Sequence, residues 1–321
     1  IEATAGDIVG STFYAKGQGE ADGVAVIEAG DEFDDNLVET YGSIDVLASW
    51  INGSTFVSET GYVDLEADAG DIVAGSATSK QSYVDVLAAG NIDALAVDAE
   101  DTVVLSATNV LNGTATSKTA SVTVDAGEFI SNQEINAASL VSLDAGLDVV
   151  GSSVLAGTTT TVGDDADVRS LHTTDIVAGG AVDINLTEEM DGSTVNSTDT
   201  VTVDANNVTN SNIDADGLVD VNALTDISNS VFKGDLDAST AVDLLAGDSI
   251  RNSDVITVNG GAVLTATDGE IDASDVQSLL TITATAGDAI GASSFTTEEG
   301  DLAIEATAGD IVGSTFYAKG Q

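Results

Sequence analysis

Apolar and polar residues alternate along this chain in short bursts. "YVDLEA" sets Val63, Leu65 and Ala67 two apart, and "SVTVDA" does the same with Val122, Val124 and Ala126. The pattern returns in "LVSLDA" (Val141, Leu143, Ala145), "TVTVDA" (Val201, Val203, Ala205) and "LVDVNA" (Val219, Val221, Ala223). Residues at i, i+2 and i+4 share one face of a strand, so each burst predicts a strand with one buried side. A second pattern follows most bursts: an aliphatic anchor, Ser three positions on, and an apolar residue at five. It is seen in "DIVGSTF" (Ile8, Ser11, Phe13), "WINGSTF" (Ile51, Ser54, Phe56), "VVGSSV" (Val149, Ser152, Val154) and "EMDGSTV" (Met190, Ser193, Val195). Further copies have Val208, Ile227, Ile250, Ile271 and Ile290 as anchors, and looser ones centre on Phe33, Ile72, Ile92, Val110, Ile130 and Val168.

Each unit therefore reads as strand, Gly/Asp/Asn corner, short strand through the Ser, and a polar turn. A period of about 20 residues is too short for a propeller blade, which takes about 40, and it lacks the helical portion of a leucine-rich repeat. Stacking equivalent strands in parallel, about 4.8 Å apart, satisfies the hydrogen bonds and buries the apolar faces together. The prediction is an all-β parallel β-helix, a solenoid of about fifteen to sixteen rungs of about 20 residues, running as a single continuous domain over residues 1–321. A β-sandwich would show turns every 8 to 12 residues without this shared pattern. Corners are expected at Asn-Gly, Asp-Gly and Ala-Gly-Asp, where Gly and Asn tolerate positive φ. Phe13, Phe56, Phe232, Phe295 and the lone Trp50 are expected to point inward, and the recurring Ser to stack hydroxyl on hydroxyl as a packing ladder.

The opening "IEATAGDIVGSTFYAKGQ" returns unaltered at Ile304–Gln321, 303 residues on. It is an ordinary rung rather than a special motif. The expectation is an uncapped segment of a longer tandem array, whose period would span roughly 70 Å at the parallel-strand spacing.

Composition sharpens this reading. Hydrophobic residues make up 43% of the chain, too many for a disordered acidic tail, yet aromatics are only 4%, which suits a thin interior of Val, Ile, Leu and Ala. Cys is absent, which removes disulfides and thiolate metal sites, and Pro is absent, as a chain made of ladders and tight corners would have it. No apolar stretch is long enough for a transmembrane helix. Fifty-five acidic residues face seven basic ones, for a net charge of −48. That balance argues against nucleic acid or an anionic membrane as partner. It predicts diffuse binding of Ca²⁺ or other cations instead of a discrete cofactor.

The units "VDLEADAGDIVAGSA", "VTVDAGEFISNQEI" and "VSLDAGLDVVGSSVLAG" resemble the repeats of filamentous haemagglutinin-type bacterial surface adhesins. The resemblance covers essentially the whole chain. It implies a right-handed parallel β-helix and a place in an extracellular, cell-surface shaft. Partners would then be further copies of the protein itself, and glycans or neighbouring cells.

Candidate chemistry is sparse. Acidic clusters at Asp31, Glu32, Asp34 and Asp35, at Asp164, Asp165 and Asp167, and at Glu298, Glu299 and Asp301 offer the oxygen ligands Ca²⁺ takes, without a known loop spacing. They are expected to be solvated corners. His172 is the single histidine, which is too little for a triad or a transition-metal site. Carboxylate pairs for glycoside cleavage lack the aromatic and basic neighbours of a substrate cleft. No enzyme is expected. Five Asn-x-Ser/Thr triplets occur, at Asn52, Asn112, Asn185, Asn196 and Asn207, and Asn52 and Asn112 fall at predicted outward corners.

Overall fold

A computed structural model describes residues 1–17, 23–164, 168–237 and 240–319. No helix occurs among them, and the strands pair in parallel as a β-solenoid of about 15 turns. The turns fall into two compact units. One is built on Ile1–Thr158; the other takes Thr159–Gly163 and the chain from Val168 onward.

In the first unit a rung has three strands, for instance Val63–Ala67, Ile72–Val73 and Ser76–Ser79. Val63–Ala67 pairs in register with Ile44–Ala48 on one side and Val84–Ala88 on the other, so Leu65 lies between Val46 and Val86 and Ala67 between Ala48 and Ala88. The short strand stacks Ile51, Ile72 and Ile92, and the third stacks Phe56, Ala77 and Val97. All twelve of these inward side chains are buried, while Asp64 and Glu66 point out. Burying each Val, Leu, Ile or Phe contributes about 1.5–3 kcal/mol. A lone rung would gain little of this, because its inward face needs a neighbour above and below. At Val103–Leu111 and Val122–Ser131 the first two strands run together into one, with a bulge between Ala107 and Asn109 taking up the corner.

The second unit repeats the plan. Val201–Ala205, Val219–Ala223, Val242–Ala246, Ala262–Ala266 and Ile282–Ala286 pair successively, and the anchors Met190, Val208, Ile227, Ile250, Ile271 and Ile290 form one ladder. One anchor differs from expectation. Leu171, not Val168, pairs with Met190, and Thr174 takes the Ser position. Val168 and Leu171 are both fully buried although their odd spacing breaks the alternation, so apolar character alone did not separate them.

Every anchor is followed two residues later by a left-handed corner. Gly fills it at Gly10, Gly53, Gly151, Gly192 and Gly313, and Asn at Asn112, Asn132, Asn210, Asn229 and Asn252. Those are the residues expected there. Ala also holds it, at Ala74, Ala94, Ala273 and Ala292, despite the clash its Cβ meets at positive φ. The rung-to-rung bonds fix this geometry, as in Ala273 N–H donating to Gly291 and Ala292 N–H to Val312.

The Ser ladder is real, but its bonds are not hydroxyl to hydroxyl. Ser211 N–H donates to Ser230 Oγ (3.1 Å), and Ser230 Oγ–H donates back to its own turn's Ser228 carbonyl (2.9 Å). The same relay runs through Ser193, Ser253, Ser274 and Ser293. Each hydroxyl of this row is spent on the carbonyl two residues before it, as Ser253 Oγ–H is on Arg251 and Ser274 Oγ–H on Asp272, so it accepts from the next rung only through an N–H.

Candidate functional site

The outward faces of the solenoid carry the remaining chemistry, and strand alternation decides how it is presented. Around Asp31–Asp35, Phe33 is the inward anchor and is fully buried. Glu32 and Asp34 flank it on the outer face, Asp31 lies in the preceding turn, and Asp35 occupies the left-handed corner at φ 52°. One face thus shares out its carboxylates along the strand instead of converging them. Asp164 is exposed, and Asp165 and Asp167 lie outside the described residues. Among the described residues no group of three or more His, Asp or Glu side chains is placed to hold a metal ion.

Trp50 was expected inside and is not. It precedes the inward anchor Ile51, so alternation turns it out, and it is 43% exposed. Its indole lies flat on the backbone of Gly70 in the next rung, where an added Cβ would come within 2.4 Å of the ring. Glu32, Asn52, Asp71 and Val73 border the same shallow depression. Asp71 is already engaged, its Oδ1 accepting from Asn91 N–H (2.6 Å). By contrast Phe56, Phe232 and Phe295 are fully buried as expected, and Phe13 is half-buried.

A row of acids runs up the outer face beside a pair of tyrosines. Asp45, Asp64 and Asp85 stand in register on three successive strands. Burial holds the Asp64 carboxyl above the usual carboxylate range, and the charges of Asp85, Asp45 and Glu66 push the same way. Burial likewise raises Asp85, and in the second unit raises Asp220 and Asp243, which also face each other. Tyr62 and Tyr83 stack next to the first row, 5.1 Å apart and 7° from parallel.

His172 follows the anchor Leu171 and faces Asp191 across the ladder. Its Nε2 stands 3.9 Å from Glu189 Oε1. The hydrogen bond from Asn210 holds Asp191 below the usual carboxylate range, helped by Thr209 and His172 and opposed by burial. This is a local polar patch on the outer face.

The scattered basic residues are rung-to-rung ties. Lys80 pairs with Glu59 (2.6 Å), Lys118 with Asp98 (2.7 Å), Lys233 with Asp214 (2.9 Å) and Arg169 with Glu188 (3.8 Å). Arg251 bridges Asp226 and Glu270, and Lys319 meets Glu298. Lys16 instead lies over the Tyr14 ring, 5.4 Å from its centre.

Asn52 and Asn112 are both exposed. Asn112 Nδ2, the atom a glycan would modify, donates to Asp93 Oδ1 (2.9 Å), and its Oδ1 accepts from Asn132 Nδ2 (3.1 Å). Asn185, Asn196 and Asn207 are half-buried.

Sequence reasoning missed a second hydroxyl ladder, at the close of the third strand. Ser58, Ser79 and Ser117 are buried there, with Ser58 Oγ donating to Gly42 and Ser79 Oγ to Gly61, both at 2.7 Å. The signal was present in "TFVS", "SATS" and "TATS", each with Ser two residues past an inward position. No family model, curated protein or solved structure matches the chain.

Proposed function

We propose that this chain is a structural segment of a long, secreted, acidic surface filament or sheath, built from tandem copies of a 303-residue unit. The observation that carries this reading is the uniformity of the rungs. Anchor, corner and strand positions repeat from Ile8 to Val149 and again from Leu171 to Ile311, and the outward chemistry goes into rung-to-rung ties. In this role the fold is the mechanism. Stacked ladders resist bending, acidic faces hold copies apart or join them through cations, and repetition sets the reach. The decisive experiment is to read the parent gene and label intact cells with antibody to this segment. Several near-identical units and a surface signal support the proposal; a single unit, or a signal confined inside the cell, overturns it.

Trp50 favours a second reading, the shaft of a haemagglutinin-like adhesin that touches glycans or neighbouring cells. An indole face bordered by Glu32 and Asn52 suits a sugar ring, with carboxylate and amide taking its hydroxyls. Glycan binding that Trp50→Ala abolishes supports it, and an array on which the segment binds nothing rejects it. Turnover of acidic polysaccharides would argue for an enzyme over both.

A further inference from the structure

The stretch that occurs twice is seen in two half-environments, and they are complementary. As Ile1–Gly17 it forms strands Glu2–Ala3, Ile8–Val9 and Thr12–Ala15; as residues 304–319 it forms Ile311–Val312, Thr315–Ala318 and the end of Leu302–Ala306. The corner is the same, at Gly10 (φ 60°) and Gly313 (φ 70°). The first copy is paired on its following edge, Ile8 to Phe33, Thr12 to Leu37 and Phe13 to Val38. The second is paired on its preceding edge, Ile290 to Ile311, Ser294 to Thr315 and Phe295 to Phe316.

We propose that these are two views of one rung, and that this rung is the joint through which a second copy of the unit continues the first. The inference rests on the tandem reading above and adds how the copies are held. Three contacts identify the joint. The first is aromatic. Phe295 stacks on Phe316 at 5.6 Å and 6° from parallel, while the equivalent Phe13 stacks on Phe33 (6.3 Å) and Phe33 on Phe56 (5.7 Å). Merging the views gives a run of four rings across the joint, in a chain whose seven phenylalanines are otherwise sparse. The second is the hydroxyl relay. Ser293 N–H donates to Ser314 Oγ, and the equivalent Ser11 N–H donates to Asn36 Oδ1 (2.8 Å), so one residue accepts from behind and donates ahead.

The third contact is charge. Lys319 pairs with Glu298 on the rung before it, and Lys16, the same residue without that neighbour, lies back over Tyr14. Exposure agrees. Ile8 is 8% exposed and Ile311 45%, so the same side chain is buried or open according to which edge is covered.

The test is amide hydrogen exchange on the full chain and on a chain carrying two units in tandem at the 303-residue offset, sharing the repeated stretch. In the two-unit chain the amides of the shared rung should exchange on the order of 100-fold more slowly than those of Ile311–Ala318 in the single chain, as buried ladders do. Glu298→Lys should speed exchange of the shared rung, and adding Lys319→Glu should restore it. A shared rung that exchanges as fast in both chains, between flanking rungs that stay protected, makes the join a loose tether and overturns the proposal. That result leaves the tandem reading standing; only a parent gene with a single unit removes it.

Discussion

Ser230 shows how a single side chain serves two rungs. Its Oγ takes the Ser211 N–H in the buried core and returns its own proton to the Ser228 carbonyl. Ser230→Ala leaves that N–H without a partner and should cost about 1–3 kcal/mol, read from denaturant unfolding. Asp64 works in the other direction. It faces Asp45 and Asp85, and like charges directly opposed across strands are destabilising. Its folded carboxyl titrates above the ordinary value of 3.8, so between the two values the folded chain binds more protons than the unfolded one. Stability from this group is therefore lost as pH rises through the folded value, and below 3.8 both states are protonated and the difference vanishes. Asp64→Asn should raise the melting temperature at pH 7 and leave it unchanged near pH 3. An equal gain at both pH values would make packing, not charge, the cause. Gly70→Ala should displace the Trp50 indole, seen as a changed tryptophan emission, because the ring occupies the space a Cβ needs.

Among elements, the left-handed corner is the one that sets the rung's path. An L-residue there costs about 1–2 kcal/mol against right-handed geometry, and Gly escapes that cost while losing about 0.5–1 kcal/mol in chain entropy. The first term is larger, so Ala273→Gly should stabilise the second unit by up to about 1 kcal/mol, the reverse of the usual effect of Gly in ordered structure. Unfolding at lower denaturant than the parent chain would contradict this balance. The four Ala corners were not legible in advance. Their neighbours' backbone bonds hold them in place, and such bonds become visible only when rungs stack.

At the scale of the whole molecule, charge dominates. The ties made by Lys80, Lys118, Arg169, Lys233, Arg251 and Lys319 are surface pairs worth at most about 1 kcal/mol each. They face a net charge of −48. Salt weakens both, but the uncompensated repulsion is the larger, with screening lengths falling from about 30 Å at 0.01 M to about 3 Å at 1 M. Melting temperature should therefore rise with NaCl, and rise further with Ca²⁺ at equal ionic strength. A flat response would remove the role given to cations.

Period, class of fold and inward faces are all legible in the local pattern of residues, because alternation and corner residues act within a few positions of one another. Val63, Leu65 and Ala67 could be placed from their spacing alone, and they are buried in the structure. Contacts between rungs were a different matter. Leu171 displaced Val168 as anchor by pairing with Met190, the Trp50 indole settled on Gly70, and Ser211 N–H found Ser230 Oγ, because each contact depends on a residue about 20 positions away. Position along the chain fixes which side a residue faces; only the neighbouring rung decides what it meets there.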